Sequence, residues 1–273
     1  MELHQLFPGD KILDSYSGIL FTFVGVSPYG DGILLITDKV IAAGAMDAPE
    51  PENELDNFRL CGNSNYALSN LHQWLNSDRK DWFVPTHAAD TPPSEEYLSL
   101  RPTLYDPVGH NAYADKPGFL TRFHRHFREM ICTSAIPCAD TEGEGVHELK
   151  VKVFIPSAAE LGLRTGVVDE GSELPLFRDF GMRYACPSRE CLEESTWQPA
   201  FFRENRTFWY WLRTPNTKTK GFVAFSHFVN PFAFKFACSP WLGIRPMLSI
   251  RGDAEIAPIG NSLGHYRFAE VKA

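Results

Sequence analysis

The chain has 273 residues, 44% of them hydrophobic and 22% charged, with a net charge of −8. That composition excludes a disordered chain and supplies enough apolar mass for a substantial core. No apolar run reaches bilayer-spanning length, and the acidic balance argues against general nucleic-acid binding by the body of the protein.

The opening, MELHQLFPGD, lacks a basic n-region followed by an apolar h-region, so the chain is expected to be cytoplasmic at synthesis. Export by another system, or departure as part of a virion, are the other routes considered. Six cysteines (Cys61, Cys132, Cys138, Cys186, Cys191 and Cys238) are scattered without a CxxC and read as reduced, buried thiols rather than a disulfide framework.

In chain order, residues 18–26 (GILFTFVGV) and 33–37 (ILLIT) read as two strands joined by the turn SPYGDG, a hairpin. Residues 47–66 are acidic and rich in turn formers, hence loop. Ser69 or Asn70 caps a short helix through LHQWLN that puts Leu71, Trp74 and Leu75 on one face. Residues 85–118 carry six prolines without periodicity, an irregular but packed excursion. FLTRFHRHFREMI (119–131) has helical apolar spacing. LKVKVFI (149–155) reads as a strand ending at Pro156, and Ser157-x-x-Glu160 has the capping-box form for a brief helix. SELPLFRDF (172–180) predicts another short helix. Strands return at 207–213, 221–228, 232–237 and 244–250. This order makes an α+β domain with antiparallel pairing, and no linker divides it.

Chemistry-bearing clusters are sparse. His124-Arg125-His126 with Cys132 and Cys138 does not match a structural zinc pattern, and an HxH pair within a helix would point to nearly opposite sides, so a basic helix face is expected there. Cys186 and Cys191 are too loosely spaced for a metal pair. Gly62, Gly143-Glu144-Gly145 and Gly162 make no phosphate loop, and no nucleophile triad stands out. Arg251-Gly252-Asp253 reads as a turn after a strand.

The segment that stands apart is 201–250. It holds 13 of the 36 aromatic residues and seven Lys and Arg against one acid, Glu204, for a local net of +6 against −14 in the rest of the chain. Phe232, Phe234 and Phe236 alternate with Ala233, Lys235 and Ala237, which puts the three rings on one strand face. That face fits a core strand about as well as a partner-binding surface. Phe225, His227 and Trp241 do not share it, which favours exposure of part of the set. Lys218, Lys220, Arg203, Arg206 and Lys235 among the rings also meet the loose description of a single-strand nucleic-acid platform, a secondary alternative.

WYWLRTP at 209–215, a variable stretch from Val223, and GIRPMLSI at 243–250 resemble a domain family of unknown function from gut bacteria and their phages, whose members read WWLR(S/T)P and then GVRPAL. The likeness continues through ILLITDKVIAAGAMD (33–47), CGNSNYALSNLHQWLNS (61–77), NAYADKPGFL (111–120) and VFIPSAAELGL (153–163). That family is similar to the C-type-lectin-like fold shared by formylglycine-generating enzymes and the variable proteins of diversity-generating retroelements.

The resemblance implies one C-type-lectin-like α+β domain over 1–273, with a ligand-display segment at 222–242. Trp209, Trp211, Arg213, Val223, Ala237, Gly243, Arg245 and Pro246 would be the scaffold, and Phe225, His227, Phe228, Phe234, Phe236, Ser239 and Trp241 the ligand-binding residues. It implies a non-enzymatic protein that binds a protein or cell-surface ligand, without catalytic residues, metal or cofactor and without a membrane segment. The oxidase branch of the fold is the alternative from another class. Its members hold copper with a pair of nearby cysteines, where this chain has Cys238 alone.

Overall fold

A computed structural model describes residues 5–47, 62–80, 116–140, 145–164, 168, 170–194, 207–217, 221–226, 232–239, 241–260 and 263–269. The domain is mixed α/β, with few short helices and antiparallel-rich sheets.

The expected hairpin forms from β2 (Leu20–Val26) and β3 (Ile33–Thr37), antiparallel with a bulge between Phe23 and Gly25. Its turn needs glycine at position 32: φ is +102°, and a Cβ there would sit 2.1 Å from the Ile250 carbonyl oxygen. Strands β1 (Lys11–Leu13), β13 (Met247–Ile250), β14 (Ile256–Pro258) and β15 (His265–Phe268) extend this hairpin into one sheet. Its order is β14-β15-β1-β2-β3-β13-β5, where β5 is Ile131–Cys132, and β8 (Val153–Phe154) also pairs with β13. The first and last described strands, β1 and β15, lie side by side and parallel in the same sheet.

The second sheet runs β11-β10-β9-β12-β4, with β4 at Ala42–Ala43, β9 at Tyr210–Pro215, β10 at Phe222–Ser226, β11 at Phe232–Phe236 and β12 at Gly243–Ile244. The strand expected over 244–250 is thus two strands in two sheets. The chain changes sheet at Arg245-Pro246, where Arg245 turns its side chain inward and proline has no N–H to continue a ladder. A separate ribbon pairs β6 (Ser134–Ala139) with β7 (Val146–Val151).

Helix α1 (Asn70–Leu75) begins where expected. Its N-cap Ser69 accepts the His72 N–H, and Leu71, Trp74 and Leu75 are all buried. The next residue, Asn76, explains why the strand expected at 149–155 breaks in two. Its amide oxygen accepts the N–H groups of Lys152 and Val153 at 2.9 and 3.0 Å and its amide nitrogen donates to the Val153 carbonyl at 2.9 Å, taking the place of a neighbouring strand.

The helix expected over 119–131 is also divided. A 3-10 turn covers Phe119–Arg122, Phe123 and His124 are extended, and helix α2 is only Arg125–Met130. Burial decides this break, because it lets Phe119, Phe123 and Phe127 pack together, with Phe21 stacked on the last two. The stretch 172–180 forms two 3-10 turns, Pro175–Arg178 and Phe180–Arg183, in place of a helix. Helix α3 (Arg189–Glu194) packs on β4. The expectations at 48–61 and 81–115 lie outside the described residues. One buried cluster runs from Leu6 to Phe268 and draws on both large sheets. No described helix is long and apolar enough to cross a membrane.

Candidate functional site: the C-terminal aromatic segment and its frame

Strand β9 carries the frame. Its Arg213 is fully buried, and all five guanidinium N–H groups have acceptors. Nε donates to the Pro137 carbonyl (3.0 Å), Nη1 to the Ile155 carbonyl (2.9 Å) and Glu160 Oε2 (2.8 Å), and Nη2 to Glu160 Oε1 (2.6 Å) and the Glu170 carbonyl (3.2 Å). Burial opposes the Arg213 charge, but the Glu160 carboxylate more than offsets it and keeps the guanidinium protonated. The Tyr29 hydroxyl donates to Glu160 Oε1 as well.

The capping-box contacts expected at Ser157 and Glu160 are made, N–H to carboxylate at 2.8 Å and N–H to hydroxyl at 3.1 Å. They close a turn rather than start a helix, and they fix the acid that Arg213 needs. Glu170, also fully buried, accepts the Ala139 N–H at 2.8 Å; burial raises its carboxyl above the ordinary value, and Arg213 pulls it back only in part.

At the other end of the frame, Gly243 has no room for a side chain. A Cβ would lie 2.3 Å from Val40 Cγ1 and 2.8 Å from the Trp209 carbonyl oxygen. The buried Arg245 spends its donors on the Thr37 and Met182 carbonyls at 3.1 and 3.0 Å and lies over the Tyr210 ring. Trp211 donates to the Gly44 carbonyl at 2.8 Å.

The end of β11 is tied down by the motifs upstream. The Ala237 carbonyl accepts the N–H groups of Met46 and Asp47 at 2.8 and 3.1 Å, while the buried Asp47 carboxylate accepts those of Asn63 and Asn70 at 2.7 and 2.9 Å.

Within this frame the rings divide by strand face. Register pairs Phe234 with Ala224 and Phe236 with Phe222 on one face, and Lys235 with Val223 and Ala233 with Phe225 on the other. On the second face Ala233 and Lys235 are half-buried, while the rings beside them are closed in. Phe225 and Trp241 are 4% and 6% exposed, and each ring centroid lies 5.7 Å from that of Trp209. The Lys235 ammonium sits 5.3 Å from the centre of the Trp241 ring.

Phe225, Ser239 and Trp241, expected on a display surface, are instead buried, and the half-buried Trp209 packs against the rings of Phe225 and Trp241. Phe234 and Phe236 are half-buried on β11, the last strand of the sheet order. His227 and Phe228 lie outside the described residues.

The sequence reading passed over Glu160, Glu170, Tyr29 and Asp47 as parts of the frame. A signal existed for the first of these, since an arginine inside an apolar strand requires a buried acid.

Of the five described cysteines, Cys138 and Cys191 are buried and Cys132, Cys186 and Cys238 partly so. Burial pushes the Cys138 thiol up to about 12. No group of three or more His, Cys, Asp or Glu side chains suited to a metal ion occurs among the described residues.

The fold and frame define a mixed α/β domain whose two sheets are joined through buried arginines. The profile of one family, described as a domain of unknown function (DUF6273), matches residues 31–252, and the chain belongs to that family. The match leaves β1, β2, β14 and β15 outside its span, though they share a sheet with β3 and β13. No curated protein and no solved structure matches the chain.

Proposed function

We propose that this chain is a non-enzymatic binding protein with a C-type-lectin-like fold, which meets a protein or cell-surface ligand through the edge of its second sheet. The carrying observation is the partition of the rings. Phe225 and Trp241 are packed into the frame, whereas Phe234, Lys235 and Phe236 remain half-buried on the terminal strand β11. Partly exposed aromatic side chains on a rigid strand offer contact area at small entropic cost. The ties at Ala237 hold that strand in place whatever the neighbouring side chains are. Short helices, antiparallel-rich sheets and the pairing of β1 with β15 support the fold reading.

The test is saturable binding of labelled protein to intact gut bacteria and to their isolated surface fractions. The double variant Phe234→Ser/Phe236→Ser is expected to weaken it at least tenfold. Val26→Ser, at a site 78% exposed on the other sheet, is expected to leave it unchanged. Equal binding by all three proteins, or no saturable binding to any fraction, removes the reading. The proposal extends to diversification of 222–242 by a retroelement, for which a near-copy of that coding segment beside a reverse transcriptase gene is the deciding observation.

A further inference from the structure

The other large sheet borders a cleft of about 250 Å³, which opens where β1 runs into the turn at 14–18, beside the start of α2 and the end of β15. Its floor is apolar, formed by the buried Phe127 and Phe268, whose rings meet edge to face at 5.1 Å. Tyr16 forms one wall, 66% exposed, with the His124 ring edge-on to it at 5.5 Å. His126 lines the cleft too, which corrects the expectation that the two histidines diverge: His124 is the extended N-cap residue, so the pair straddles the start of the helix. Asp14 completes the lining, its Oδ2 accepting the N–H and the hydroxyl of Ser17 at 3.0 and 2.5 Å.

Among the described residues, Asp14, itself 6% exposed, is the one formally charged side chain in this lining. No described Lys or Arg lines it, and Arg125, between the two histidines, is directed to Glu129 at 2.7 Å. A carboxylate beside aromatic faces and an apolar floor is complementary to a cation with a hydrophobic body. We propose that this cleft binds a small organic cation of that kind, a primary aromatic amine being the simplest example. The site is separate from the β11 edge and does not depend on the binding function proposed for it.

The experiment is an amide-shift titration of the full chain with benzylamine, and with benzyl alcohol as its neutral counterpart. Saturable shifts confined to Tyr16, His124, His126 and their neighbours are expected for the amine, with the alcohol at least tenfold weaker. Asp14→Asn keeps an acceptor for Ser17 and is expected to weaken the amine about tenfold or more, the scale of a lost charged contact. Tyr16→Ala, at an exposed position, is expected to weaken it several-fold and serves if the Asp14 variant does not fold. Equal affinity for amine and alcohol, unchanged affinity in the variants, or no saturable shifts at the cleft would overturn the proposal.

Discussion

Arg213 and Glu160 meet as a two-pronged pair, 2.8 and 2.6 Å between their nitrogens and oxygens, with neither side chain exposed. The pair joins β9 of the second sheet to the turn after β8 in the first. Removing one partner strands a buried charge, so Arg213→Met is expected to cost about 3–5 kcal/mol. The double variant Arg213→Met/Glu160→Leu recovers only part of that, because the Pro137, Ile155 and Glu170 carbonyls still lose their donor. Urea midpoints of the two variants measure both effects.

Glu170 gives the domain a pH-dependent weakness. Its folded pKa is raised above the ordinary 4.5, so the folded state holds the proton more tightly than the unfolded one. The stability this contributes is complete below 4.5 and is lost as pH rises through the folded pKa. Each unit of elevation corresponds to about 1.4 kcal/mol. Glu170→Gln is expected to flatten this part of the stability–pH curve and to raise stability at neutral pH, read from melting temperatures across the range.

Gly243→Ala is expected to destabilise by about 1–3 kcal/mol through overpacking. Adding Val40→Ala should relieve only part of it, since the 2.3 Å contact with Val40 goes but the 2.8 Å contact with the Trp209 carbonyl stays. Calorimetry of the single and double variants distinguishes this from a uniform loss of packing.

The two classes of ring should separate by stability. Phe225→Ala and Trp241→Ala are expected to cost about 3–5 kcal/mol as core truncations. Phe234→Ala and Phe236→Ala should cost roughly half as much, in proportion to their smaller burial. If denaturation shows all four equal, the division between frame and face is wrong.

Native protein should also protect Cys138 and Cys191 from a thiol reagent, because burial raises both thiols and keeps them protonated. Labelling followed by mass spectrometry, before and after denaturation, checks this.

Much of the local structure was legible in the sequence, because it depends on neighbours along the chain. The strands read at β2, β3, β9, β10 and β11, the Ser69 cap of α1 and the reciprocal contacts of Ser157 and Glu160 all appear. The alternation at 232–236 placed Phe234 and Phe236 on one strand face, as the register with β10 shows.

Tertiary structure decided what those elements meet. Apolar spacing could not show that Asn76 would interrupt a strand 76 residues away, nor that the Phe119–Phe127 run would bend to bring three rings together. The pattern of rings could not reveal that Trp209 closes over Phe225 and Trp241 while Phe234 and Phe236 stay half-buried. A sequence records which side chains are apolar. Which of them stay in contact with water depends on the surfaces that distant segments bring against them.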